Sequence, residues 1–431
     1  MHGQSPRMLR TAPQASPRAA LLVTGSELTR GGRRDANGPF LAEELTRLGL
    51  EPTRITIVGD DPAQLEPAIR EALAATDLLV LSGGLGPTHD DRTVELLARA
   101  AGLETRVVPE LEQEIEGVSR RIAERFGRPY AEFEAGVRKQ ATVPEGGRLI
   151  GIAGTAPGLV VETGRAVAVV LPGPPQELRR LWRAALEDEA VCRVLDRAVK
   201  PERRILRVFG LSESAVARAL AEAGGEPEGV QATICAHGGE IWVELFGQAE
   251  GLAERLREAL GRSVFVEDDR SVEELVLGLA RDQGLSLATA ESCTGGLVAA
   301  RVTSVPGASD VFRGGIVAYD NEVKIAQLGV SEETLAAHGA VSAETAAAMA
   351  QGVRDSLGAD VAVADTGIAG PAGGTPEKPV GLVYLHASGP GRQEARELRL
   401  PGDREAVRRR ATAAALHLVR ELLSQTRHSS A

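Results

Sequence analysis

The chain has 431 residues, 43% of them apolar and 25% charged, which asks for two or three domains with the composition of a soluble globular protein. Its formal net charge of −11 repels phosphate backbones, so direct nucleic-acid binding is not expected. Cys192, Cys235 and Cys293 form no CxxC pair and no apolar run approaches the ~18 residues of a membrane span, so a disulfide framework, a structural zinc site and a membrane protein are all disfavoured and a reducing cytoplasm is expected.

Residues 1–18 are rich in Pro, Ser and Arg and lack an apolar segment; they are expected to form a disordered extension. From 19 to 171 strands and helices alternate. "AALLVTG" reads as a buried strand, and Asn37 as the cap of the helix "GPFLAEELTRLG" that Gly49 stops. "TRITIVG" is the next strand, "PAQLEPAIREALAAT" a helix with Pro62 in its first turn, "DLLVLSGG" a third strand and "RTVELLARAAG" a helix. Such repetition implies a mostly parallel sheet covered on both faces.

"PGPP" breaks the chain after Leu171, and 172–268 read as a smaller α+β domain containing "QELRRLWRAALEDEA", "EIWVELFG" and "AERLREALG". Cys235 and His237 in "TICAHGGE" have no chemical company there and read as a turn between strands. From 269 to 426 the alternation resumes: the helix "SVEELVLGLARDQG", the strand "LSLATA", the strand "FRGGIVAY", a helix after Ser342, the strands "ADVAVADTG" and "VGLVYLHASG", and a closing helix capped by Asp403. The expected fold is α/β: two three-layer α/β domains joined by a smaller α+β domain.

Two places carry chemistry. "LSGGLGPTHDDRT" follows a strand and opens a helix, where Gly83, Gly84 and Gly86 can present N–H groups to a phosphate. Asp90 and Asp91 follow directly, and Asp60 and Asp61 end a neighbouring strand. Asp60, Asp90 and Asp91 suit a divalent metal beside that phosphate, whereas Asp61 before Pro62 serves equally well as a helix cap. "GIAGTAPGLVV", with Thr155, reads as a second phosphate-facing loop, and Lys139 as a point charge for it.

The second place is "AESCTGG", Ala290–Gly296, with two possible nucleophiles on a strand-to-helix turn whose N–H groups could hold an oxyanion. Cysteine would need a base that this region does not supply. Serine has one in "AYDNEVK", which offers Tyr319, Asn321 and Lys324. The chain has four lysines, Lys139, Lys200, Lys324 and Lys378, among many arginines. A lysine can act as a base once desolvated, and an arginine cannot. "DTGIAGPAGG", including Gly367, is a further anion-friendly loop. Arg404 and Arg408, one turn apart, either hold a phosphate or form a solvated face.

"TGSEL", "DAN", "VGDD", "SGGLGPTHDD", "RKQATVP", "GTAPG" and "LPGPP" resemble the first domain of the CinA family, itself similar to molybdopterin-binding proteins. "AESCTGG", "GGIVAYDNEVK", "VSAETAAAMAQG", "TGIAGPAGG" and "GDREAVR" resemble its C-terminal domain, the nicotinamide mononucleotide amidohydrolase. The first resemblance implies metal-dependent hydrolysis of ADP-ribose to AMP and ribose 5-phosphate. The second implies conversion of nicotinamide mononucleotide to nicotinic acid mononucleotide and ammonia without a cofactor, with Ser292 as nucleophile, Tyr319 and Lys324 as its partners, and Thr366, one of the two arginines and the Gly295 turn on the substrate. A homodimer is expected. Two alternatives stand beside this: a first domain that binds or adenylylates molybdopterin, and a non-catalytic adaptor in competence.

Overall fold

The apolar run Ala19–Thr24 forms a strand, β1, buried along its whole length. The computed structural model describes residues 17–426 apart from 51 and 201, so the extension expected over 1–18 lies outside the described residues but for its last two positions. Strands β2, Pro52–Val58, and β3, Leu78–Ser82, flank β1 and run parallel to it. A short antiparallel pair follows, β4, Thr105–Val107, with β5, Thr142–Pro144. Strands β6, Arg148–Ala153, β7, Ala156–Thr163, and β8, Ala166–Leu171, complete a six-stranded sheet in the order β2-β1-β3-β8-β7-β6. "GTAPG" therefore supplies the Gly154–Thr155 turn of the β6–β7 hairpin and the first residues of β7.

Side chains alternate across a strand, and β1 shows what that does: Leu22 enters one core with Leu65, Ile69, Leu96 and Ile115, and Leu21 enters another with Leu41, Leu45 and Trp182. Helices thus cover both faces. The second core corrects the domain boundary expected after Leu171. Pro175 sits at the first turn of the helix Pro175–Ala185, so "PGPP" redirects the chain without leaving the fold. That helix and Glu189–Leu195 bury Leu178, Leu181, Trp182 and Val191 against the sheet. Each such large side chain contributes ~1.5–3 kcal/mol. The chain divides between Pro201 and Glu202.

The second unit opens with β9, Arg203–Val208, β10, Gln231–His237, β11, Glu240–Phe246, and β12, Val264–Val266, an antiparallel sheet ordered β10-β11-β9-β12. Helices Glu213–Glu222 and Glu250–Leu260 pack on it through Val216, Leu252 and Leu256. Gly238 and Gly239 make the β10–β11 turn expected around "TICAHGGE". A five-stranded sheet follows: β13, Leu287–Glu291, β14, Phe312–Val317, β15, Val361–Gly367, β16, Leu382–Gly389, and β17, Arg392–Arg399, ordered β14-β13-β15-β16-β17. β13, β14 and β15 are parallel; β16 and β17 are antiparallel additions. One face packs Val361, Val363 and Leu385 against Val272–Asp282 and Arg404–Thr426; the other packs Ala288, Ala290 and Ala362 against Met349 and Val353 of Ala343–Leu357. Two three-layer α/β sandwiches and a smaller α+β sheet are what the chain builds. No described helix is long and apolar enough to cross a membrane.

Candidate active sites

In the first unit the carboxyl ends of β1, β3 and β8 open onto a cavity of about 400 Å³, lined by Gly83, Gly84, Gly86, Asp60, Asp90, Asp91 and Thr155. The glycines are there for space as much as for donors. A side chain at Gly84 would run into Thr93 Oγ1, and one at Gly86 into the Asp91 carboxylate. Gly83 spends its N–H on the Leu171 carbonyl at 3.0 Å, so it offers no donor to a phosphate.

The three-carboxylate centre expected of Asp60, Asp90 and Asp91 is not assembled. Among the described residues no three His, Cys, Asp or Glu side chains converge as a metal-binding group. Asp60 turns its oxygens to Thr24 Oγ1 at 2.9 Å and the Ser26 N–H at 2.8 Å. Asp61 is a helix cap, accepting from the Ala63 N–H. Asp90 and Asp91 remain, both accepting from the Thr88 hydroxyl. That bond holds Asp90 below the usual carboxylate range. One hydroxyl hydrogen cannot serve two carboxylates, so this exposed pair keeps spare negative charge. Such a pair fits a hard cation that shares its coordination with water and substrate phosphate.

Lys139 does not line the cavity. Its ammonium donates to the Thr88 carbonyl and braces the loop carrying Asp90 and Asp91. Asn37 is not the cap: the Asp35 carboxylate accepts from the Asn37 and Gly38 N–H groups. Asn37 is buried and donates to Ser82 Oγ at 2.9 Å and the Gly173 carbonyl at 2.7 Å, tying the end of β3 to "PGPP".

In the second unit, Ser292, Tyr319, Asn321, Lys324, Thr366, Gly367 and Arg404 line one cavity of about 170 Å³. Lys324 is only 1% exposed, on the first turn of Asn321–Leu328. Its Nζ donates to the Ala318 carbonyl at 2.8 Å and the Tyr319 carbonyl at 3.3 Å. Burial pushes the Lys324 amine below its ordinary range, against the charges of Asp320 and Asp365. A neutral amine has two hydrogens and one lone pair; two carbonyls occupy the hydrogens and leave the pair. Cys293 is buried, and burial with the Asp365 charge pushes its thiol up to about 12, so it is no thiolate.

Of the two arginines, only Arg404 reaches the cavity, donating to the Tyr319 hydroxyl at 2.7 Å and the Gly370 carbonyl at 2.8 Å. Arg408 spends Nε and Nη2 on the Thr294 carbonyl, at 3.2 and 2.6 Å. Gly295, at φ 61°, turns beside that guanidinium outside the cavity. Thr366 donates to the Ala340 carbonyl at 2.6 Å.

The turn itself differs from expectation. Three of its N–H groups, those of Ser292, Thr294 and Gly296, are taken by two buried carboxylates. Glu291 accepts from Gly296 N at 2.8 Å, Val298 N at 3.0 Å and Ala299 N at 2.8 Å. Asp365 accepts from Thr294 N at 3.0 Å and from the Ser292 N–H. Neither acid stood out as a site residue. Glu291 had a local signal, an acid three residues before the Thr294 hydroxyl that bonds to it at 2.7 Å. Asp365 had none, because its partners are 71 residues away.

Residues 20–190 match a family model described as "Probable molybdopterin binding domain", and residues 269–423 match the "CinA C-terminal domain". The chain is 44% identical over 428 residues to the CinA-like protein of Mycobacterium tuberculosis, covering 95% of this chain and 98% of that one. The CinA-like protein of Mycolicibacterium gilvum is 44% identical over 422 residues, covering 95% and 99%. Among solved structures, the competence/damage inducible protein CihA of Agrobacterium tumefaciens is 42% identical and covers 36% of this chain and 95% of its own, with a TM-score of 0.34. One model falls on each of the two sandwiches and the Mycobacterium protein matches almost end to end, so the chain belongs to the CinA-like family, with a molybdopterin-binding-like first domain.

Proposed function

We propose that the second unit is a nicotinamide mononucleotide amidohydrolase working through Ser292, Lys324 and Tyr319. The observation that carries this is the desolvated Lys324, its hydrogens held by two carbonyls, in the wall of a cavity that it shares with the Ser292 hydroxyl. The Ser292 proton passes to Lys324 Nζ as Oγ bonds the carboxamide carbon. The C–N bond then breaks, and the nitrogen leaves as ammonia with the proton from Lys324. Water, deprotonated by the same amine, cleaves the ester and regenerates Ser292. Tyr319, held by Arg404, relays or steadies that proton, while Arg404, Asn321 and Thr366 orient the nucleotide. The test is ammonia release from nicotinamide mononucleotide by the pure protein; no release under saturating substrate removes the reading.

For the first unit the proposal is hydrolysis of ADP-ribose to AMP and ribose 5-phosphate. Asp90 and Asp91 would hold a divalent cation, which neutralises diphosphate charge when bound. Gly84, Gly86 and Thr155 border the space for the phosphates. The match of 20–190 to a molybdopterin-binding model favours a second reading, in which this cavity takes molybdopterin. Incubation of the protein with each compound separates them: AMP formation supports the first reading, and binding of molybdopterin without AMP formation supports the second.

A further inference from the structure

The Thr294 hydroxyl lies between two buried acids. Its oxygen is 2.7 Å from Glu291 Oε2 and 2.5 Å from Asp365 Oδ2. Glu291 and Asp365 are each 1% exposed and Thr294 is fully buried. A hydroxyl has one hydrogen to donate and lone pairs to accept with. If both acids were ionised, one of these contacts would press a carboxylate oxygen against a hydroxyl lone pair in a dry site, at a large cost. Glu291 is the acceptor-only partner, since three backbone N–H groups also point at it. The Thr294 hydrogen goes to Glu291, and the contact with Asp365 then needs a hydrogen of its own. The Thr88 hydroxyl meets the same count on an exposed loop, where solvent or a cation can compensate. Asp365 is sealed from solvent, with the N–H groups of Thr294 and Ser292 pointing at it against three at Glu291, and Lys324 is the cation that acts on it.

We propose that Asp365 is a positioning residue that carries a proton in the working site: as a neutral carboxylic acid it donates to Thr294 Oγ1, braces the Ser292 turn and leaves Lys324 free to be a neutral base. This rests on the deamidase reading above. The charged and titratable groups around Asp365 are Glu291 on β13, Cys293 on the turn and Lys324 on the helix after β14; Arg404 and Arg408 of the closing helix act on Cys293. Burial lifts Asp365 to about 6, with the Glu291 charge adding to the rise, and burial lowers Lys324. The two shifts narrow the gap between an acid and an amine that would otherwise ionise one another. Such a pair titrates as a unit. Protonated Asp365 with neutral Lys324 has the same number of protons as the ion pair, and the Thr294 contact favours the neutral form.

Asp365→Asn tests this, because the amide keeps a donor for Thr294 and cannot ionise. The readout is kcat/KM for ammonia release from nicotinamide mononucleotide across pH. The wild type is expected to gain activity as Lys324 loses its proton and to lose it again at higher pH as Asp365 ionises. In Asp365→Asn the rising limb stays where it is and the alkaline loss disappears. If Asp365 is instead an anion in the working enzyme, removing its charge moves the rising limb to lower pH by about one unit or more, and the proposal falls. Infrared spectra of the wild type against Asp365→Asn supply a readout independent of turnover. A protonated-carboxyl carbonyl band that the variant lacks supports the assignment, and absence of that band from the wild type throughout the pH range overturns it. A wild type that releases no ammonia removes the deamidase reading, while the infrared result still decides where the proton is.

Discussion

Replacing Lys324 by methionine separates a base from a clamp. The chain uses another lysine purely as a clamp by the same geometry: Lys378 donates to the His338 and Val341 carbonyls, both at 2.7 Å. Lys324 differs in being sealed and in lining the cavity that Ser292 also lines. Methionine matches its length and removes its hydrogens, leaving the Ala318 and Tyr319 carbonyls without that donor. An orphaned buried acceptor costs ~1–3 kcal/mol, so Lys324→Met is expected to lower stability by about that amount. Loss of a general base costs ~10²–10⁴ in rate, or ~3–5 kcal/mol of barrier at 1.36 kcal/mol per decade. Lys324→Arg should be nearly as slow for another reason. Arginine stays protonated, and its bulk in a filled site costs ~1–3 kcal/mol more. The assay is single-turnover ammonia release at saturating nicotinamide mononucleotide, normalised to the folded fraction from urea denaturation. Stability loss with a near-wild-type rate per folded molecule would refute the base and leave Lys324 a clamp like Lys378.

Ser292→Ala should abolish deamidation in a folded protein, whereas Cys293→Ser should retain most of it; the opposite pattern in ammonia release would make this a thiol enzyme. Arg404→Ala should raise KM, and Arg408→Ala should instead lower thermal stability by freeing the Thr294 carbonyl, which substrate titrations and melting curves distinguish. Asp91→Asn should remove metal-dependent AMP formation from ADP-ribose while leaving deamidation intact, a comparison made on one preparation. His417 is fully buried, donates through Nε2 to Glu240 at 2.9 Å and accepts from Arg420 Nε at Nδ1. Burial holds it below its ordinary 6.5, and the His417 bond holds Glu240 below its ordinary 4.5 against its own burial. Both groups are depressed, so their stability contribution is complete above the unfolded values and is lost as pH falls below 6.5. Urea midpoints should therefore drop on acidification in the wild type and drop less in His417→Gln.

The sequence by itself determined what depends on near neighbours. Alternating strands and helices, the glycine loop before Asp90 and Asp91, and the grouping of Tyr319, Asn321 and Lys324 are patterns within a dozen residues, where periodicity and turn chemistry act directly. It also put Ser292 and Cys293 side by side on one strand-to-helix turn, and left the choice between them to their surroundings. Tertiary structure decided the partners. "PGPP" looks like a boundary, but Trp182 and Leu178 beyond it find their core on β1 and β3, and burial outweighs a local break. Lys139 looks free to bind phosphate, but the Thr88 carbonyl 51 positions away takes its ammonium. Arg404 and Arg408 are equivalent on a helix, and only the neighbouring turn sends one to the cavity and the other to Thr294. Asp365 is an ordinary strand-end acid until folding brings Thr294 and Glu291 against it. Which lone pair meets which hydrogen is set by atoms far apart in the chain, and so is the charge that a buried acid can keep.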